Sequence, residues 1–143
     1  MAVSITNYGT NNRIGATKTK SATISYTDIG DGATTLLTAT AYEMFDLPKD
    51  AFVKAVRVRI DTAFDSVTTA TVSVGDAGST TRFISAVDAK ATAGTVYASA
   101  TTGYKYTAAD TLDVQFALTG ATTTGAVTVI CDYTDLNEKF MSI

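Results

Sequence analysis

Between residues 56 and 61 the chain alternates strictly: Val56, Val58 and Ile60 are apolar, while Arg57, Arg59 and Asp61 are charged. A period of two sends successive side chains to opposite faces of an extended backbone. One face is then apolar and the other charged, which is the signature of a half-buried strand. On a helix the same charges would scatter around the circumference. The pattern recurs in Ala70, Val72 and Val74 set against Thr71 and Ser73. It recurs again in Leu112, Val114, Phe116 and Leu118 set against Asp113, Gln115 and Ala117, and Val127, Val129, Cys131 and Tyr133 close the series.

Weaker strand signals fill the intervals. Ile24 and Tyr26 alternate with polar residues, residues 36–47 read as one long irregular strand or two short ones, and a strand starts at Arg82. Residues 95–100 and 104–106 read as short strands, and residues 86–94 as a loop or a short helical turn. Turn chemistry separates them: Asp28, Asp31 and Gly32, then Pro48 to Asp50, Gly75 to Ser79, and Gly120 to Gly125. Roughly eight to nine strands at this spacing predict an all-β fold, an antiparallel β-sandwich of jelly-roll type with about eight strands. Thr abounds where Lys and Glu are scarce, and a β-branched residue favours strands over helices. No βαβ alternation and no internal repeat is visible.

Two regions follow from this: an extended N-terminal arm over residues 1–20 and a single sandwich domain over 21–143. The arm holds Arg13, Lys18 and Lys20 with no acidic residue, which suits an acidic partner surface. Its start lacks the apolar core of a signal peptide, so the expectation is a protein made in the cytosol or carried within a larger particle. No apolar run reaches bilayer-spanning length, so no membrane partner is expected.

The 143 residues contain no histidine and one cysteine. Without His the common nucleophile–base systems and the commonest metal ligand are missing. With one Cys there is neither an internal disulfide nor a thiolate zinc site. A net charge of −3 argues against direct nucleic-acid binding. No catalytic residue, metal ligand or cofactor is assigned, and the chain is expected not to be an enzyme. Asp28 with Asp31, and Asp76 between Gly75 and Gly78, read as turn residues rather than calcium ligands. Cys131 reads as a small buried apolar residue, and Asp135 and Glu138 as a solvated tail. Tyr97, Tyr104 and Tyr106 are the main hook for sugar binding, against an ordinary core or interface role. Arg57 and Arg59, with Lys54 nearby, can form a partner-binding stripe, because the planar guanidinium pairs well with carboxylates.

Residues 45–65 (FDLPKDAFVKAVRVRIDTAFD) and 71–85 (TVSVGDAGSTTRFIS) resemble small β-domains of tailed-phage virion proteins, including head decoration (cement) proteins. The likeness runs over about residues 42–118. It implies a structural protein that binds the outside of a phage head, assembled in the host cytoplasm. It also implies a homotrimer that clamps neighbouring copies of the major capsid protein. On that reading Arg13, Lys18 and Lys20 would contact the shell, and Arg57 and Arg59 the other subunits. A tail or fibre component, or a carbohydrate-binding sandwich, are the competing expectations.

Overall fold

The computed structural model describes residues 17–27, 36, 38–99 and 103–136. Among them run nine strands: β1 (Thr17–Ser25), β2 (Ala41–Leu47), β3 (Ala51–Thr62), β4 (Thr69–Gly75), β5 (Ile84–Asp88), β6 (Val96–Ala98), β7 (Tyr104–Lys105), β8 (Asp110–Thr119) and β9 (Ala126–Asp135). They form two sheets. The first has the order β1-β9-β3-β6, with β7 also on β3, and the second the order β2-β8-β4-β5. Every strand pair is antiparallel. The chain changes sheet between β1, β2, β3 and β4, stays for β5, and crosses again to β6, β8 and β9. That alternation is the double Greek key of a jelly roll. Strands β6 and β7 lie against different parts of β3, Arg57–Arg59 and Phe52–Val53 respectively, so they are two pieces of one edge strand. The eight strand positions expected from the sequence are therefore all present.

The core forms where the apolar sets of the two sheets meet. Val56, Val58 and Ile60 of β3 and Val127, Val129 and Cys131 of β9 are fully buried, as are Val72 and Val74 of β4 and Leu112 and Val114 of β8. Phe64, just after β3, stacks at 5.2 Å on Phe116 of β8 and closes one end. The period-two pattern thus becomes one apolar layer between two polar faces.

Three local expectations need correction. The first sheet begins at Thr17, so the last four residues of the expected arm, Lys18 and Lys20 among them, belong to a strand. They pair in register with Tyr133 and Cys131 of β9, and that pairing extends the strand through a stretch with few apolar residues. The strand expected from Arg82 begins only at Ile84, because Arg82 is committed to the preceding turn. Residues 86–88, read as loop or helical turn, continue β5. Ala86 takes a positive φ of 47° there, its N–H held by the Ser73 hydroxyl at 2.9 Å, beside a register shift between Val72 and Val74. An alanine-rich composition carries no sign of such an irregularity.

Candidate interaction surfaces

The outer face of the first sheet is a closed polar network. Arg57 on β3 donates to Asp132 on β9 at 2.9 Å, and Asp132 also accepts from Thr19 on β1 at 2.7 Å. One register step along, Arg59 pairs with Asp61 at 2.6 Å, and Asp61 accepts from Thr128 at 2.5 Å. Thr128 in turn shares a hydrogen bond of 2.8 Å with Thr23. Lys54 reaches across β9, its Nζ donating to Thr17 at 2.9 Å. Strand pairing therefore brings Arg57, Arg59 and Lys54 together on one face, as the sequence predicts. It also supplies the two arginines with partners on their own sheet.

Lys20 does not join that face. Its Nζ donates to the carbonyl of Asp46 on the second sheet at 2.6 Å and sits 5.7 Å from the Tyr133 ring centre. It spans the gap between the sheets at the β1–β2 side, beside an open cleft of 530 Å³ lined also by Leu47, Pro48, Asp110 and Thr111. Lys18 has the same strand parity as Lys20, pairing in register with Tyr133. The expected contact residues that are described thus do not form one surface, since Lys20 leaves the face that holds Arg57 and Arg59. Arg13 lies outside the described residues, as do Asp28, Asp31 and Glu138.

The second sheet has the opposite electrostatic character. Its strands contain Glu43, Asp46, Asp88, Asp110 and Asp113 and no Lys or Arg. None of these carboxylates forms an ion pair among the described residues. Asp113 lies between the fully buried Leu112 and Val114, so its side chain takes the outer face, yet it is only 7% exposed. Directly across from it stands Glu43, a like charge in register, an unfavourable cross-strand pairing. Burial pushes the Asp113 carboxyl above its ordinary pKa, the neighbouring Asp110 and Glu43 charges add to that, and the Thr111 hydroxyl bond opposes it. The sequence reading missed this face, because the absence of cations from four strands stands out only when those strands are known to share a sheet.

The turn after β4 is built on Asp76, which is 1% exposed. It accepts from the Gly78 and Ser79 N–H groups at 3.0 and 2.9 Å, from the Tyr106 hydroxyl at 2.7 Å and from the Arg82 guanidinium. Burial alone would raise its pKa, but the bonds from Arg82, Tyr106 and Ser79 together hold it below the ordinary value. Tyr104 covers Arg82, with the guanidinium 4.1 Å from the ring centre, and meets Tyr106 edge-on at 4.9 Å. The turn reading of Asp76 was right in kind but named neither Arg82 nor Tyr106 as partners. The three tyrosines form no exposed platform: Tyr106 is buried, Tyr104 packs on Arg82, and Tyr97 donates to the Asp88 carbonyl at 3.0 Å. Among the described residues no three His, Cys, Asp or Glu side chains are grouped to hold a metal ion.

Strand order and face chemistry define the class: a jelly-roll sandwich with one self-paired polar face and one carboxylate-bearing face. Comparison with solved structures takes this further. A chain of the Cyanophage Pam1 capsid asymmetric unit is similar at 29% identity, with a TM-score of 0.66, over 84% of this chain and 85% of that one. A chain of the acid-stable capsid of the Helicobacter pylori bacteriophage KHP30 shares the fold with a TM-score of 0.67 and 14% identity, over 92% and 96% of the two chains. One in the capsid of Ralstonia phage GP4 does so with a TM-score of 0.60 and 14% identity, over 86% of each. No protein-family profile and no curated protein matches the chain. The likeness to the Pam1 capsid chain supports a phage-capsid-related protein, a structural component of a virion, and the other two share its fold.

Proposed function

We propose that the chain is a non-enzymatic capsid decoration protein, which binds the outside of a phage head as a homotrimer and clamps neighbouring major capsid subunits. The observation that carries this reading is the likeness to a chain of the Pam1 capsid, which extends over most of both chains. The chemistry of the molecule is consistent with it. The described residues offer polar sheet faces and a pinned turn. A rigid sandwich loses little conformational entropy on docking. Many copies on a symmetric shell then add weak contacts through effective concentration.

The test is the copy number of this chain in purified particles, measured by quantitative mass spectrometry against the major capsid protein. A simple fraction of the capsid count is expected. A few copies per particle would move the protein to the tail or fibres, and its absence would refute the virion role. The proposed contact of the arm with the shell is tested by removing residues 1–16, which spares β1. Binding to empty shells should weaken while the sandwich still folds, and unchanged binding would refute a role for Arg13.

A further inference from the structure

We propose that the outer face of the second sheet, centred on Glu43, Asp113 and Gln115, is a docking face whose partner is a protein surface presenting Lys and Arg side chains. The two outer faces of the sandwich differ in what they lack. On the first, Arg57 and Arg59 each have a carboxylate on the same sheet, and hydroxyls complete the network. That face is electrostatically satisfied as it stands. On the second, Glu43 and Asp113 face one another with no cation from any described residue.

Asp113 is the independent pointer to a partner. It is more than nine-tenths buried, and Thr111 donates to its Oδ1 at 2.6 Å, while no described residue donates to Oδ2. A buried carboxylate oxygen without a donor is costly, and a cation arriving from outside would remove that cost. The surroundings admit one. Gly75, in register with Asp113, lies under the Ser79 and Thr80 backbone, so the approach is from the other side, over the exposed Glu43 of β2, and past Ser73, which is in register with Gln115. Next to Gln115 lies a depression of 110 Å³ lined by Thr38, Thr71, Ser73 and Ala117. The Thr71 hydroxyl and the Gln115 amide oxygen are the acceptors it offers an ammonium or guanidinium group, since the Ser73 and Thr38 hydroxyls already accept from the Ala86 and Leu118 N–H groups. A bare metal ion is the weaker candidate, because no three carboxylates converge among the described residues.

The proposal relies on the capsid reading only for where the partner is found, so two probes separate the two ideas. The first is binding of the full chain to empty shells. The double variant E43Q/D113N should bind about tenfold or more weakly. Its thermal midpoint should not fall, because the substitution removes a repulsive pair. A binding loss at unreduced stability cannot be attributed to misfolding. Wild-type binding should also weaken as salt rises from about 0.1 M to about 1 M, where screening shortens to about 3 Å. The second probe is hexalysine added to the isotope-labelled full chain. Amide shifts should centre on Glu43, Asp113 and Gln115. If the wild type ignores shells but hexalysine maps to these residues, the capsid reading fails and the docking face stands. Shell binding by E43Q/D113N within about twofold of wild type overturns the proposal. So do hexalysine shifts that are absent or centred elsewhere, and so does loss of shell binding in R57Q/R59Q but not in E43Q/D113N.

Discussion

Asp76→Ala should be among the most destabilising single changes available in this chain. The substitution strands several groups at once. Tyr106, 4% exposed, loses the acceptor for its hydroxyl, two turn N–H groups lose theirs, and Arg82 loses its carboxylate with a side chain only 24% exposed. Removing one partner of a buried ion pair costs about 3–5 kcal/mol, and each orphaned neutral group adds roughly 1 kcal/mol where water cannot reach it. Arg82 keeps some access to water, so the lower part of the range applies: about 3–4 kcal/mol. Against a domain total of roughly 5–15 kcal/mol, that is a large share. Urea unfolding followed by tyrosine fluorescence measures it at pH 7. The pH dependence supplies a second check. Asp76 has a depressed folded-state pKa, so its contribution is fully present above the unfolded value of about 3.9. It is lost as pH falls through the folded value, and the wild-type and D76A stabilities should converge there. A change of Tyr106→Phe in the D76A background should cost less than in the wild type, because both remove the same bond. A loss below about 1 kcal/mol at pH 7, or additive double-variant costs, would refute the view of this turn as one connected unit.

Other sites give sharp expectations. Asp65 accepts from the Thr123 and Thr124 N–H groups at 2.7 and 3.1 Å and from the Thr123 hydroxyl, which together lower its pKa to about 2. An NMR titration should find its midpoint near that value, and D65N should speed amide exchange at Thr123 and Thr124; a midpoint near 4 would contradict the geometry. Gly125 has a φ of 152°, and a Cβ there would overlap the Phe64 ring. G125A should therefore lower the urea midpoint by the equivalent of about 1–3 kcal/mol, and a neutral result would show that Phe64 can move aside. Burial pushes the Cys131 thiol up to about 12. A thiol reagent at pH 8 should leave the folded chain unlabelled and react only on unfolding, and fast labelling under native conditions would show that β9 opens.

The strongest alternations, at 56–61, 70–74, 112–118 and 127–133, all became buried strands, because a period of two with one apolar face leaves little other choice. What escaped the sequence reading depended on pairing. Lys18 and Lys20 looked like arm residues because β1 holds few large apolar side chains; β9 supplies the partner that makes it a strand. Arg57 and Arg59 were correctly placed on one face, but Asp132, which pairs with Arg57, comes from a strand 75 residues away. Tyr106 and Asp76 are 30 residues apart and meet only when β4 and the β7–β8 region fold together. The carboxylate face was hidden for the same reason, since Glu43 and Asp113 are neighbours only across β2 and β8.

Strands β8 and β9, the last two of the described strands, hold the central places. β8 separates β2 from β4, and β9 separates β1 from β3. Until both have left the ribosome, β1 has no partner and β3 is joined only to its edge pieces, while β4 and β5 wait as a bare hairpin. The earlier strands therefore emerge with open edges and exposed valines and must stay apart until the two zippers arrive. Folding of both sheets therefore waits on the last two of the described strands and is slow by topology. Its hazard is the interval in which unpaired edges of many nascent copies could meet each other before β8 and β9 meet them.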